Sequence, residues 1–286
     1  MNRIHTAFGK GAERPSGKSF IGFATGGDPD LERSEAYILE MVRAGADLVE
    51  IGIPFSDPIA EGPVIQEANI RALKSGATVK KIFALVESLR ENLKSRLPSR
   101  AGVPIVFLSY LNPVFSFGYD AFFRRCAQTG VDGIIIPDLP FEEQAEVKGA
   151  ALTQGVDLIS LIAPTSGARI RRIAEAATGF IYLVSSLGVT GIRSEIKTDL
   201  ASIIAEVKAV TAVPTAVGFG IHTPAQASEI AGLADGVIVG SAIVKIIAAH
   251  PTGAGPFIAE YVREMKTAIG GKGNQVGGED EVTDNR

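Results

Sequence analysis

Asp47 to Gln66 reads D-L-V-E-I-G-I-P-F-S-D-P-I-A-E-G-P-V-I-Q. Its first half has the pattern of a buried strand, apolar except for Glu50. Alternate side chains of a strand share a face, so Leu48, Glu50 and Gly52 point one way and Val49 and Ile51 the other. A carboxylate in such a run must be paired or held neutral by desolvation. The second half cannot be regular structure. Pro54, Pro58 and Pro63 interrupt it, and Ser56, Asp57 and Gly62 supply turn chemistry. A second carboxylate, Glu61, follows in that loop. One acid on a strand and one on a loop can act as an acid/base pair. On these residues alone, an ion-paired Glu50 and a solvated turn Glu61 serve equally well.

The run E-I-G-I-P-F-S-D-P-I-A-E-G-P-V-I-Q resembles the signature of the tryptophan synthase alpha chain family. The match is long and its combinations are rare. It departs in one place, because the family has Asp where this chain has Glu61. The resemblance implies a closed (β/α)8 TIM barrel with extra helices. It also implies retro-aldol cleavage of indole-3-glycerol phosphate to indole and glyceraldehyde 3-phosphate, the lyase reaction of L-tryptophan biosynthesis.

The rest of the chain fits a barrel. Its 286 residues match the roughly 250 of one α/β barrel. G-A-D-L-V-E-I-G from Gly45 recurs as G-V-D-G-I-I-I-P from Gly130, G-V-D-L-I-S-L-I from Gly155 and L-A-D-G-V-I-V-G from Leu233. In each, an Asp opens a short apolar strand, and in three a glycine closes the preceding helix. V-P-I-V-F-L-S-Y from Val103, V-P-T-A-V-G-F-G from Val213, K-S-F-I-G-F-A-T from Lys18 and G-F-I-Y-L-V-S-S from Gly179 bring the count to eight. Strands apolar on both faces indicate a parallel sheet covered by helices. Helical patterns separate them, among them 119–128, 141–153, 168–177, 199–209, 223–232 and 241–249, with Thr78 and Thr223 as N-caps. Alternation alone also suits an open doubly wound sheet. The expectation is one barrel domain over residues 1–270 and a disordered tail over 271–286, which has no periodic apolar face.

Composition narrows the function. Lys and Arg total 28 against 32 Asp and Glu, a net charge of −4, with no dense basic cluster to suit nucleic acid. No apolar run approaches a membrane span, and the N-terminus has no apolar signal core. One cysteine, Cys126, excludes an internal disulfide and a cysteine metal site and suits a cytoplasmic protein. His5, His222 and His250 do not cluster with acids at metal-ligand spacing, so no metal is expected. No dinucleotide fingerprint or P-loop is present, and no cofactor is called for.

Barrel active sites lie at the carboxyl ends of the strands, which is where Glu50 and Glu61 fall. Glycine loops end strands six, seven and eight, at Gly188–Gly191, Gly218–Ile221 and Gly240–Ser241. Backbone N–H groups at a helix start bind anions, so these loops favour a phosphorylated substrate. The resemblance assigns phosphate contacts to Gly191, Gly220, Gly240 and Ser241. It assigns the indole walls to Phe23, Leu108, Tyr110, Ile135, Leu161, Tyr182 and Phe219, with Tyr182 beside Glu50. It makes Glu50 and Glu61 catalytic and has Thr190 close its loop over Glu61. It also implies docking onto a beta chain through Pro54, Asp57, Asn112 and Pro113, giving an αββα assembly. Two other readings compete: a catalytically weakened alpha chain that serves mainly to bind and activate its partner, and another phosphate-binding barrel enzyme such as a sugar-phosphate isomerase.

Overall fold

The computed structural model describes residues 3–9, 17–185, 193–218 and 220–270, with side chains for all of these except 193–199. The strands are β1 (Ser19–Thr25), β2 (Leu48–Gly52), β3 (Ile105–Leu108), β4 (Gly133–Ile135), β5 (Asp157–Leu158), β6 (Ser160–Ile162), β7 (Ile181–Val184), β8 (Thr215–Gly218) and β9 (Gly236–Val239). All pairings are parallel, in the order β5-β4-β3-β2-β1-β9-β8-β7-β6. The two ends of this order are consecutive pieces of one stretch. At Ile159 the chain leaves its partner β4 and takes up β7, and the Ile159 N–H still donates to Ile134 O at 2.9 Å. Side chains alternate through the switch, Leu158 and Ile162 packing outward and Ile159 and Leu161 inward. The barrel therefore closes through Ile159, and the fifth strand expected from the sequence is present in two segments.

The strand-opening aspartates explain the register. Asp47 accepts the N–H of Phe20 at 2.8 Å, Asp132 that of Ile105 at 2.8 Å, and Asp235 that of Thr215 at 2.9 Å. Each carboxylate stands just before its own strand and ties down the start of the neighbouring one. Asp132 also receives Arg90 at 2.9 Å and Arg3 at 2.5 Å, and Asp47 receives Lys266. These ions are hydrogen-bonded on several sides, which is what permits their burial.

Two apolar layers follow from strand alternation. Val49, Ile51, Ile105, Phe107 and Val237 face the helices, while Leu48, Val106, Ile135, Phe180 and Ile238 fill the barrel. Ile4, on the short helix α1 (Arg3–Phe8), joins the inner layer and closes its amino end. The helices α2 (Leu31–Arg43), α3 (Pro63–Lys74), α4 (Val79–Arg96), α5 (Leu111–Phe117), α6 (Tyr119–Thr129), α7 (Ala145–Thr153), α8 (Ile170–Ala176), α9 (Arg193–Lys208), α10 (Pro224–Ala231), α11 (Ser241–Ala249) and α12 (Gly255–Ile269) account for the crossovers. Thr78 and Thr223 cap α4 and α10 as expected, and α9 begins six residues before the expected Asp199. The tail from 271 lies outside the described residues. Among the described residues no helix is long and apolar enough to cross a membrane.

Candidate active site

Glu50 occupies the third position of β2 and shares the inward face with Leu48. Its register partners are Phe23 on β1 and Val106 on β3. It is 2% exposed, and its Oε2 has no hydrogen-bond partner. Burial among apolar groups, and secondarily the charge of Glu61, raise its pKa to about 8. The buried carboxyl with a raised pKa, anticipated as one alternative, is therefore what the fold produces, and no ion pair holds it among the described residues.

The loop that brings Glu61 back to Glu50 is held at several points. Asn69 on α3 accepts the N–H of Phe55 at 3.0 Å. The Tyr110 hydroxyl accepts the N–H of Ala60 at 2.8 Å, and its ring stacks on Phe55 with centroids 5.3 Å apart. Gln66 donates to Glu61 O at 2.8 Å. Pro63 then starts α3, where its missing N–H is no loss. Glu61 is half-buried, and burial raises its pKa to about 7. Burial, and secondarily the charge of Glu61, raise the pKa of Tyr110 to about 12, and burial followed by the charges of Glu50 and Glu61 raises that of Tyr182. Glu61 is thus within electrostatic reach of Glu50, Tyr110 and Tyr182. Near neutral pH the pair can hold a proton on Glu50 and a negative charge on Glu61, the division an acid/base reaction needs.

The inner face supplies apolar walls. Leu108 and Leu161 pack against the inner cluster that includes Ile135 and Tyr182, and Phe23 packs with Leu108 just above. Tyr182 is buried, and that burial, followed by the charges of Glu50 and Glu61, raises its pKa. Gly218 makes room for it, because a Cβ there would lie 2.1 Å from the Tyr182 hydroxyl. Tyr110, also expected in the wall, has its hydroxyl and ring engaged by the Glu61 loop. Gly240 caps α11 and Ser241 begins it, so N–H groups without an intrahelical partner stand at the mouth beside Phe23, and Gly220 has a φ of 75°. Thr190, Gly191 and Phe219 lie outside the described residues.

Among the expected docking residues, Pro54 is buried, Pro113 is half-buried, and Asp57 and Asn112 are exposed. The same barrel face exposes two large apolar side chains that sequence reasoning did not single out, Ile59 at 83% and Phe115 at 66%. Asn69 and Phe55 were also not singled out, and Gly218 was named only as the start of the strand-seven glycine loop. Only the glycine of G-F-G carried a local signal. His222 N–H donates to Gln226 at 3.0 Å near the cap of α10, and His250 stacks on Phe257. Cys126 is buried in α6, and burial pushes its thiol pKa up. No group of His, Cys, Asp or Glu among the described residues is arranged to hold a metal ion.

Comparison with known proteins agrees along the whole barrel. The family profile described as tryptophan synthase alpha chain matches residues 10–269. The tryptophan synthase alpha chain of Lacticaseibacillus casei is 49% identical over 255 residues, 89% of this chain and 93% of that one. That of Citrifermentans bemidjiense is 50% identical over 246 residues, 86% of this chain and 89% of that one. The crystal structure of tryptophan synthase subunit alpha from Legionella pneumophila superimposes with a TM-score of 0.83 at 34% identity, covering 94% of this chain and 98% of the other.

Proposed function

The chain belongs to the tryptophan synthase alpha chain family, and from that premise we propose how its barrel divides the work of cleaving indole-3-glycerol phosphate. The reaction needs no co-reactant. The bond between indole C3 and the glycerol chain breaks, C3 gains a proton, and the adjoining hydroxyl loses one as it becomes an aldehyde.

Glu50 relays that proton. With a pKa of about 8 it is protonated at neutral pH and delivers to C3, and the carboxylate so formed takes the hydroxyl proton as the carbon–carbon bond breaks. Glu61, ionised in a fraction set by its pKa of about 7, faces the ring N–H and offsets the positive charge that develops there. Tyr182, Leu161, Ile135, Leu108 and Phe23 hold the ring and keep water from the reacting carbon. Gly240 and Ser241, at the start of α11, bind the phosphate through backbone N–H groups, together with Gly220 and Gly191 from neighbouring loops. Thr190, outside the described residues, is the residue that the family resemblance assigns to closing over Glu61. The observation that carries this reading is the convergence of two desolvated carboxyls on one apolar space at the carboxyl end of β2.

The partner is a beta chain in an αββα assembly. The exposed pair Ile59 and Phe115, beside Asp57 and Asn112 at the same strand ends, supports a docking face around the mouth. A cytoplasmic location suits an amino-acid biosynthetic enzyme with one buried thiol. Indole release by Glu50→Gln, with and without a beta chain, tests the core assignment. Loss of release is expected, and release at the parent rate removes Glu50 from the mechanism.

A further inference from the structure

Among the described residues, two buried side-chain oxygens have no hydrogen-bond partner, Glu50 Oε2 and Thr25 Oγ1. They lie on adjacent strands. Thr25 ends β1, and the register places Phe23 beside Glu50 and Thr25 beside Gly52. Phe23 and Thr25 share the inward face, as Glu50 and Gly52 do. The threonine hydroxyl therefore stands one inward step nearer the mouth than Glu50, on the diagonal between adjacent strands. Gly52 contributes no side chain between them, and a Cβ there would meet the Phe23 ring at 2.9 Å.

Nothing about local structure asks for this hydroxyl. The segment after Thr25 is pinned by other groups: Gly26 N–H donates to Gly52 O at 2.8 Å, Gly27 N–H to Ser34 Oγ at 3.0 Å, and Arg71 donates twice to Asp28, each bond 2.8 Å. Thr25 is 1% exposed. A valine would fill the same volume without the desolvation penalty of an unpaired hydroxyl. An orphaned buried oxygen in a folded protein calls for a partner, and the described residues do not supply one.

The position identifies the partner. Phe23 is flanked on one side by Glu50 and on the other by Gly240, whose Cβ, if present, would lie 3.1 Å from the Phe23 ring. Thr25 sits above Phe23, between the carboxyl that serves the indole carbon and the helix start that takes the phosphate. The glycerol chain of the substrate spans that interval, and its hydroxyls are the polar groups available there.

We propose that Thr25 is a further substrate-binding residue, whose hydroxyl donates a hydrogen bond to the glycerol oxygen from which Glu50 takes the proton. The two orphaned oxygens then share one ligand hydroxyl. Thr25 fixes it against Glu50 and stabilises the oxygen as the carbon–carbon bond breaks. This rests on Glu50 as the proton carrier.

The test uses Thr25→Val, Thr25→Ser and Glu50→Gln in the full chain. Two quantities are measured: kcat/KM for indole-3-glycerol phosphate, and the affinity for an indolylpropyl phosphate that keeps ring and phosphate but lacks both hydroxyls. Thr25→Val should lower kcat/KM about tenfold or more, the loss expected for one hydrogen bond to a reacting oxygen. It should leave the affinity for the deoxy compound unchanged and the melting temperature equal or higher, and Thr25→Ser should recover most of the rate. Parent kcat/KM in Thr25→Val overturns the inference. So does an equal loss of deoxy-compound affinity, which would mark a change of pocket shape. If Glu50→Gln is inactive while Thr25→Val is at the parent rate, the Thr25 assignment alone fails. If Glu50→Gln is active, the reading beneath it fails.

Discussion

The Tyr110 hydroxyl accepts a 2.8 Å hydrogen bond from the backbone N–H of Ala60, so a residue at the start of α5 sets the position of the carboxyl next in sequence, Glu61. Tyr110→Phe removes that acceptor and keeps the ring that stacks on Phe55. The loop then loses one of its ties, and a misplacement of about 1 Å can reduce rate on the order of 100-fold. The expected outcome is a fall in kcat of about 10- to 100-fold with a change in melting temperature of only a few degrees. Steady-state indole release and a thermal melt read the two effects separately.

Gly218 and Tyr182 are bound by space. A Cβ on residue 218 would lie 2.1 Å from the Tyr182 hydroxyl, 2.5 Å from Cζ and 2.7 Å from Cε1. Gly218→Ala must therefore push the ring out of the wall beside Glu50. Destabilisation of about 1–3 kcal/mol is expected, as for other overpacked cores, together with loss of affinity for the indole end. Tyr182→Phe in the same chain removes the nearest atom and leaves two ring carbons in conflict, so recovery should be partial. Denaturant melts of the two single variants and the double variant decide this.

The raised pKa of Glu50 makes stability depend on pH with a definite sign. Its ordinary value is 4.5 and its folded value about 8. The folded chain holds a proton that the unfolded chain releases above about 4.5. The contribution of Glu50 is complete at acid pH, declines as pH rises from about 4.5, and is lost beyond about 8. Every tenfold difference in proton affinity between the folded and unfolded chains is worth about 1.4 kcal/mol. Glu50→Gln cannot ionise. Any penalty from burying its amide is independent of pH, so only the change with pH reports the carboxyl. The melting temperature of the variant relative to the parent should rise between pH 5 and pH 8 and then level off. A difference independent of pH would mean that Glu50 is not buried in its protonated form.

How much of this could be seen in the sequence differs from residue to residue. The Asp that opens a strand and the alternation of L-V-E-I-G were local patterns, and they placed Glu50 inward correctly. The division of the fifth strand was not local, because Ile159 merely exchanges one neighbour for another while its side chain keeps the same phase. Helix α5 was concealed by Pro113, which reads as a breaker. At the third position of a helix its missing N–H is one of the orphans and does no harm. The hold of Tyr110 on the Glu61 loop joins residues 50 apart in sequence, and the orphaned Thr25 hydroxyl is defined by what does not surround it. Neither can be written in a motif.

Phe115 tests the docking face without touching the chemistry. It lies on α5, is 66% exposed and contacts Tyr119 edge-to-face. Phe115→Asp should leave the isolated chain within about 0.5 kcal/mol of parent stability, as for other surface changes. Affinity for a beta chain should drop at least about tenfold if the ring is an anchor there. Titration calorimetry against purified beta chain measures it. Unchanged affinity would move the interface elsewhere on the mouth.

Glu61 is where the chain departs from the family pattern, and its environment argues that it works. Burial raises its pKa to about 7, its charge reaches Glu50 and Tyr182, and the loop around it is tied to Asn69 and Tyr110. A carboxyl abandoned by function would have no reason to be turned from solvent toward a second carboxyl, which raises the pKa of Glu50 further. Glu and Asp differ little in intrinsic acidity, about 4.3 against 3.9, so the extra methylene changes reach and not chemistry. Glu61→Ala should therefore reduce indole release by about two orders of magnitude or more, as expected when a group that meets developing charge is removed. It should also lower the pKa of Glu50 by withdrawing the neighbouring charge, which moves the pH dependence of stability to lower pH. Glu61→Asp retracts the carboxyl by about one bond and should remain active, with the loop ties intact. Rates of the three chains, each measured with and without beta chain, separate the alternatives. If Glu61→Ala matches the parent, the carboxyl is idle. If the parent is nearly inactive and Glu61→Asp restores cleavage, the added methylene has weakened the lyase and left a subunit whose remaining task is to bind its partner.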